Sequence, residues 1–323
     1  MKVQCQLCPK QCLIEPGQSG ECRVRINIDG VLRTVVYGYP CSIHIDPVEK
    51  KPIFHFLPGT KILSIATVGC NLHCKNCQNW EISQANPEDG QAFVYPPARL
   101  IELAKRYQCP SLAYTYTDPI VFYEYTLDSA KLAGEANIRN VLVTAGYINE
   151  EPWKQLLKYV DAANIDLKGI TDDFYRRVCS GTLKPVQQAL VLAKGSGILL
   201  EVTNLIIPTL NDKPEQIRQL TRWIKANLGA DTPLHFSGFY PRYQMRHLPP
   251  TSLKTLETAR QIGISEGLDY VYIGNLRSKQ GQNTYCPDCK SLLIERSGYT
   301  ILQNKLKDGC CPDCGRAIYG VWK

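Results

Sequence analysis

The chain has 323 residues, of which 44% are hydrophobic and 21% are charged, and this composition is typical of a globular protein. Its net charge of +7 gives only weak support for an anionic partner. No segment approaches the apolar length of a membrane span, and the first ten residues lack a signal-peptide core. We therefore expect a cytoplasmic protein without a membrane partner, in which the fifteen cysteines serve as metal ligands or reactive thiols rather than disulfides.

The first cysteine group lies near the amino terminus, in a cysteine-rich segment that we place at residues 1–57. Its spacing is C-x2-C-x3-C-x9-C, and its members are Cys5, Cys8, Cys12 and Cys22. Gly17 and Gly20 make the loop flexible enough to close around a metal. The pattern predicts a metal site and leaves zinc and an iron–sulfur cluster both open. The densest basic run, residues 48–52, is short and is predicted to be a solvated face.

Residues 58–280 alternate between short runs rich in β-branched or aromatic residues and segments with a helical period. The predicted strands are 61–67, 111–116, 140–145, 162–167, 198–207, 233–239 and 269–274. The predicted helices are 97–107, 120–136, 150–159, 172–194, 213–228 and 251–266. Repeated strand–helix units predict an α/β fold with a parallel sheet. Six units and an edge strand favour a partial (β/α)6 TIM-like barrel, and a doubly wound sheet is the alternative.

A cluster of three cysteines follows the first predicted strand directly, on the face where such barrels carry their chemistry. The spacing C-x3-C-x2-C places them at Cys70, Cys74 and Cys77. A buried apolar stripe of cysteines is the alternative, but the surrounding residues are polar. Thiolates favour zinc or iron–sulfur clusters. A [4Fe–4S] cluster with three protein ligands leaves one iron open to chelate S-adenosylmethionine, from which one electron would release a 5′-deoxyadenosyl radical.

Residues 281–323 contain two matching C-x2-C knuckles around a predicted hairpin that turns at Ser297 and Gly298. The four predicted ligands are Cys286, Cys289, Cys311 and Cys314. This pattern predicts a zinc ribbon, with zinc favoured over iron and Cys310 as the spare thiol. We expect the ribbon to fold as a separate unit and to leave the whole cofactor site in the barrel. The remaining cysteines are predicted to be ordinary thiols, although Cys179 could donate hydrogen to a substrate radical.

These motifs resemble those of radical S-adenosylmethionine enzymes, in particular those of the AmmeMemoRadiSam system and, more distantly, pyruvate formate-lyase activating enzyme. The resemblance extends nearly from end to end, through CQLCPKQC, GECRVR, DPVEKKPIFHFLPG, CNLHCKNCQNWEIS, AYTYTDP, NIDLKG, LIIPTLND, PLHFSGFYP, YVYIGN and CPDC. It implies an electron donor of the flavodoxin or ferredoxin type and an unidentified substrate, which could be a small molecule, a protein or RNA. Activation of a glycyl-radical enzyme is one alternative, and a non-enzymatic zinc-ribbon protein that binds nucleic acid is another.

The resemblance also assigns contacts to S-adenosylmethionine. The predicted contacts are Asn76, Thr115, Thr117, Asp118, Thr144, Asp166, Lys168 and Thr203. Asn76 occupies a position where the superfamily usually has an aromatic residue that packs on adenine. Asp118 stands where a Gly-Gly-Glu-like motif contacts the ammonium, and an ordinary Asp-Pro turn is the alternative. Asp166 and Lys168 match an Asp-x-Lys element that holds a cation near the cofactor, with an internal ion pair as the alternative.

Three further polar residues are predicted near this site. Glu201 and Asn204 lie with Thr203 in an otherwise apolar strand, so some of these side chains should face the barrel interior near the ribose or substrate. His235 is predicted to end the sixth strand, where it either faces the substrate or serves as a structural histidine.

Overall fold

The computed structural model describes residues 1–89 and 93–323. Seven consecutive parallel strands form its central sheet: β6 (Lys61–Ala66), β7 (Ser111–Tyr114), β8 (Arg139–Thr144), β9 (Ala162–Asp166), β10 (Leu199–Ile206), β11 (Leu234–Gly238) and β12 (Val271–Gly274). An eighth strand, β5 (Ser42–Pro47), pairs antiparallel with β6 and gives the sheet the order β12-β11-β10-β9-β8-β7-β6-β5. The predicted parallel α/β fold is therefore confirmed.

Helices follow the strands, as the alternating pattern predicted. Their bounds are α1 (Trp80–Ser83), α2 (Pro97–Arg106), α3 (Tyr123–Glu135), α4 (Glu150–Leu157), α5 (Asp172–Phe174), α6 (Leu183–Gly195), α7 (Pro214–Leu228) and α8 (Leu253–Ser265). The prediction of one helix over 172–194 was wrong. A π-helical turn at Tyr175–Cys179 follows α5, and Ser180 then adopts a left-handed φ of 57°, which interrupts the helix before α6 begins.

The cysteine-rich segment forms two small hairpins before the barrel. Strand β1 (Val3–Gln4) pairs with β2 (Leu13–Ile14), and β3 (Arg25–Ile28) pairs with β4 (Val31–Thr34). Their buried side chains join those between the sheet and its helices in one continuous core. None of the helices in the described part of the chain combines the length and the apolar character that crossing a bilayer requires.

The C-terminal ribbon consists of β13 (Thr284–Tyr285), β14 (Leu292–Ser297) and β15 (Thr300–Asn304). It is joined to the barrel by backbone hydrogen bonds and by buried side chains that pack together. The Val321 N–H donates to the His55 carbonyl at 2.7 Å, and the Leu57 N–H donates to the Val321 carbonyl at 2.8 Å. Phe54 and Tyr272 share a buried cluster with ribbon residues, including Ile294. These contacts bury apolar surface of both parts, and folding of the ribbon as a separate unit stays a prediction.

Candidate functional site

A cavity of about 400 Å³ opens at the carboxyl ends of the parallel strands, and this volume is typical of small-molecule sites. The three cysteines of the C-x3-C-x2-C motif and all eight predicted cofactor contacts line it. These residues are Cys70, Cys74, Cys77, Asn76, Thr115, Thr117, Asp118, Thr144, Asp166, Lys168 and Thr203. They come from the loop after β6 and from the ends of β7 through β10, which a parallel barrel brings together.

The cysteine loop is held from both sides. Gly69 has a φ of 91°, and a side-chain Cβ there would lie 2.6 Å from the carbonyl oxygen of Cys22, so glycine is required. The His73 N–H donates to the Cys179 carbonyl at 3.1 Å, and the Lys75 N–H donates to the Val178 carbonyl at 2.9 Å. The π-helical turn after β9 therefore supports the loop.

The three thiols differ in their surroundings. Burial and the nearby Asp118 carboxylate raise the pKa of Cys70, and burial raises the pKa of Cys77. A hydrogen bond with the Cys179 thiol lowers the pKa of Cys74. Among the described residues, these three sulfur atoms do not all lie within 4.8 Å of one another, so they do not surround a single ion. Buried thiolates require a cationic partner, which the irons of a cluster provide.

Asp118 is held by the ends of two strands. Its carboxylate accepts hydrogen bonds from the Thr144 hydroxyl at 2.9 Å, the Ala145 N–H at 2.9 Å and the Ile120 N–H at 3.1 Å. The bond from Ile120 is the turn that the Asp-Pro sequence favoured. Burial raises the pKa of Asp118. A carboxylate offers about four acceptor positions, so about one remains for the predicted ammonium contact.

Asp166 and Lys168 form an ion pair of 2.6 Å beside the cavity. Burial lowers the pKa of Lys168, but the Asp166 carboxylate and the thiols of Cys74 and Cys179 outweigh it, so the pKa is raised overall. The internal ion pair, which was the alternative interpretation, is thus present, and both side chains still line the cavity. A fixed positive charge lies next to the cysteine loop.

Glu201 and His235 are in structural contacts, which for His235 is one of the two alternatives that the sequence left open. The Glu201 Oε2 atom lies 2.6 Å from His235 Nε2, and its Oε1 atom accepts from the His55 N–H at 2.7 Å. His235 is the second residue of β11 rather than its end, and both side chains are buried away from the cavity. Ser237, two residues further on the same face, lines the cavity instead.

Asn204 is likewise a structural residue, because its side-chain amide donates to the Leu167 carbonyl at 2.7 Å. This bond joins β10 to the end of β9. The neighbouring Thr203 side chain faces the cavity, as the alternation of a strand requires.

A buried charged group at the cavity wall was not predicted from the sequence. The run at residues 48–52 is not a solvated face, because Lys51 is only 2% exposed and Glu49 only 1%. The Lys51 Nζ atom lies 2.6 Å from Asp46 Oδ2 and 4.2 Å from the centre of the Tyr116 ring, and the Tyr116 hydroxyl donates to the same carboxylate. Burial lowers the pKa of Lys51 to about 8, against the effect of Asp46. Tyr116 also has a strained φ of 64°.

The C-terminal cysteines form a compact tetrathiolate group, as predicted. All four sulfur atoms lie within 4.8 Å of one another, with separations of 3.5 Å for Cys286–Cys314 and 3.6 Å for Cys289–Cys311. A tetrahedral ion with metal–sulfur distances of about 2.3 Å separates its ligands by about 3.8 Å. The group therefore fits one ion, and Cys310 lies outside it. Tyr299, near the tip of the ribbon hairpin, lines the barrel cavity, so the cavity is not built by the barrel alone.

Comparisons with known proteins agree with this geometry. The radical SAM superfamily profile matches residues 64–224. The uncharacterized protein MJ0808 of Methanocaldococcus jannaschii is 48% identical, over 98% of this chain and 95% of that protein. Pyruvate formate-lyase-activating enzyme of Clostridium pasteurianum is 25% identical, over 49% of this chain and 66% of that enzyme.

A solved structure, Streptococcus suis SuiB bound to S-adenosylmethionine, has a TM-score of 0.52 at 13% identity, and the match covers 71% of this chain and 53% of that one. At this identity the likeness concerns the fold alone. The profile match shows that residues 64–224 form a radical SAM domain, and the chain is an enzyme.

Proposed function

We propose that this chain binds a [4Fe–4S] cluster at Cys70, Cys74 and Cys77, and that it cleaves S-adenosylmethionine reductively to act on a substrate by hydrogen abstraction. One observation carries this proposal: the three thiols and the polar ends of four consecutive strands line a single cavity of about 400 Å³. When bound, the cluster and S-adenosylmethionine supply one-electron cleavage of the sulfonium, which gives methionine and a 5′-deoxyadenosyl radical.

Unpaired polar atoms in the cavity wall support a polar ligand there. Among the described residues, Asn76 Oδ1 and Thr203 Oγ1 are buried without a hydrogen-bond partner. An unsatisfied buried polar atom costs about 1–3 kcal/mol, which a ligand that donates to these atoms would recover. The superfamily position of Asn76 is near the adenine, and an amide oxygen can accept from the adenine amino group.

The charged residues divide the cavity into parts with different tasks. Lys168 sits beside the cysteine loop, where its ammonium would attract the cofactor carboxylate, and Asp118 has an acceptor position left for the cofactor ammonium. Phe174, Leu205 and Ile207 give the cavity an apolar portion that would exclude water from the reacting carbon. In this arrangement the protein orients the ligand, and its buried charges fix the direction in which the ligand binds.

The substrate is a small molecule, a protein or RNA, and the electron donor is of the flavodoxin or ferredoxin type. Glycyl-radical-enzyme activation is the second candidate, and the similarity to pyruvate formate-lyase-activating enzyme over 49% of the chain favours it. Against it stand the cysteine-rich segment and the ribbon, which a minimal activase lacks. Membership of the AmmeMemoRadiSam system remains a prediction from the sequence motifs.

The test is anaerobic reconstitution with iron and sulfide, followed by measurement of 5′-deoxyadenosine with a chemical reductant. The wild-type protein should form 5′-deoxyadenosine, and Cys70→Ala, Cys74→Ala and Cys77→Ala should each reduce it to background, because a cluster with three protein ligands has none to spare. Cys41→Ala is the matched control, since Cys41 lies outside all three cysteine groups. Cleavage at the wild-type rate in any of the three variants would contradict the proposal.

The same preparation tests the non-enzymatic alternative. A zinc-ribbon protein that binds nucleic acid would contain no iron after reconstitution and would bind RNA with an affinity that falls steeply with salt. Incubation with a purified glycyl-radical enzyme, followed by electron paramagnetic resonance, tests the activase candidate. A glycyl radical formed in that partner would identify the substrate class.

A further inference from the structure

The four N-terminal cysteines converge on one small cavity. The hairpin of β1 and β2 brings the first and third together, because the Cys5 N–H donates to the Cys12 carbonyl at 2.9 Å. Cys8 lies in the hairpin loop, and Cys22 follows the second glycine of the next loop. All four line a cavity of about 20 Å³, which is enough space for about one water molecule.

The spacing of these thiols differs from that of the ribbon. The four ribbon sulfurs lie within 4.8 Å of one another, whereas among the described residues no three of the N-terminal thiols do. A single tetrahedral ion with metal–sulfur distances of about 2.3 Å holds its sulfur ligands about 3.8 Å apart, which is closer than any three of these thiols lie. An iron–sulfur cluster distributes its ligands over several irons and needs the wider arrangement. The three thiols of the C-x3-C-x2-C motif are also spread beyond the limits of one ion.

The surroundings suit an anionic group. Lys10, Glu21 and Arg25 line the cavity. Lys10 pairs with Glu21 at 2.6 Å, whereas Arg25 Nε has no hydrogen-bond partner among the described residues. The other end of this guanidinium is held by Glu124, at 2.9 Å from Nη1, so its position is fixed. A guanidinium in this position stabilises the negative charge of thiolates and bridging sulfides.

We propose that Cys5, Cys8, Cys12 and Cys22 bind a second iron–sulfur cluster, distinct from the cluster proposed at the C-x3-C-x2-C motif. The two sites lie on opposite sides of one short segment. Gly69 packs against the Cys22 carbonyl, and Asn71 lines the N-terminal cavity while its amide donates to the Tyr147 carbonyl at 2.7 Å. This second cluster site is independent of whether the barrel cavity cleaves S-adenosylmethionine.

The test uses the full-length chain with the other iron site removed. The triple variant Cys70→Ala/Cys74→Ala/Cys77→Ala is reconstituted anaerobically, and its iron, sulfide and zinc are quantified. It should retain iron and acid-labile sulfide, with a cluster signal in electron paramagnetic resonance after reduction. Adding Cys5→Ala and Cys8→Ala should remove both elements, whereas adding Cys41→Ala and Cys109→Ala, as the matched control, should remove neither.

A second measurement guards against misfolding of the multiple variants. The wild-type protein should contain more iron than one [4Fe–4S] cluster accounts for, and ribbon zinc together with the far-ultraviolet circular dichroism should be equal in all variants. A triple variant without iron but with two zinc ions per chain would overturn the proposal in favour of a single-ion site. A triple variant with one zinc and no iron would overturn it in favour of free thiols. Failure of the barrel site alone would appear differently, as equal iron in the wild-type and triple-variant proteins.

Discussion

The ammonium of Lys51 lies 2.6 Å from the Asp46 carboxylate, at a position where the lysine is 2% exposed. The same carboxylate accepts from the Tyr116 hydroxyl, and its other oxygen lies 2.7 Å from Lys50 Nζ. One acidic residue at the end of β5 thereby neutralises two lysines beside the cavity. Lys51 and Tyr116 both line the cavity, so the contacts that Asp46 makes with them also determine the shape of the cavity wall.

Replacement of Asp46 by asparagine should destabilise the fold strongly. Asp46→Asn leaves the Lys51 ammonium buried without a counter-charge, and breaking a buried ion pair costs about 3–5 kcal/mol. Urea denaturation at neutral pH measures the free energy of unfolding. Asp173→Asn is the control, because Asp173 pairs at 3.1 Å with Arg177 while both are about 70% exposed, and it should cost under about 1 kcal/mol. Equal effects of the two changes would contradict the buried-pair interpretation.

Acid should weaken the protein through the same residue. Burial raises the pKa of Asp46, but Lys50, Lys51 and Tyr116 outweigh burial and hold it well below the ordinary value of 3.8. A depressed carboxyl pKa contributes stability that is fully present above 3.8 and is lost as the pH falls below it. The free energy of unfolding should therefore decline on acidification below about pH 4, and the decline should be smaller in Asp46→Asn. Parallel pH profiles for the two proteins would exclude Asp46 as the source.

Asp118 offers a test that separates ligand contact from strand support. In Asp118→Asn, the side-chain amide N–H faces a group that now donates to the carboxylate. Two donors then oppose each other and a hydrogen bond is lost, so the free energy of unfolding should fall by about 1–3 kcal/mol. If Asp118 also accepts from the cofactor ammonium, the dissociation constant for S-adenosylmethionine should rise by a factor of about ten or more, since such a bond is worth about 1.5–3 kcal/mol. Both quantities are measured on reconstituted protein of equal iron content. An unchanged dissociation constant with lowered stability would leave Asp118 as a structural tie between β7 and β8.

The sequence predicted the residues that line the cavity better than it predicted which charged residues are buried. The end of a strand can be recognised in the sequence as the end of an apolar run. Because the strands are parallel, Thr115, Thr144 and Asp166 then lie at one edge of the sheet. Lys51 was misjudged because the chain turns through Val48–Lys50 and brings Lys51 back onto Asp46, so that one residue of a charged run becomes buried. His235 was predicted to end its strand, but the apolar run continues to Phe239, so the strand ends later and Ser237 is its cavity-facing polar residue.

The ribbon gives the last prediction, because its attachment to the barrel depends on the final residues of the chain. A chain that ends at Gly320 loses both backbone hydrogen bonds between Val321 and the His55–Leu57 segment, and it exposes the buried cluster to which Val321 packs. Each lost bond to a buried group costs about 1–3 kcal/mol, so the melting temperature should fall by several degrees. Deletion of Lys323 alone is the matched control, since that residue pairs only with the exposed Asp308 among the described residues, and it should leave the melting temperature unchanged.

Truncation after Asn275 should go further and yield insoluble protein, because Phe54 and Tyr272 lose the ribbon half of their core. A soluble, cluster-binding protein from that truncation would show that the ribbon is an independent module after all.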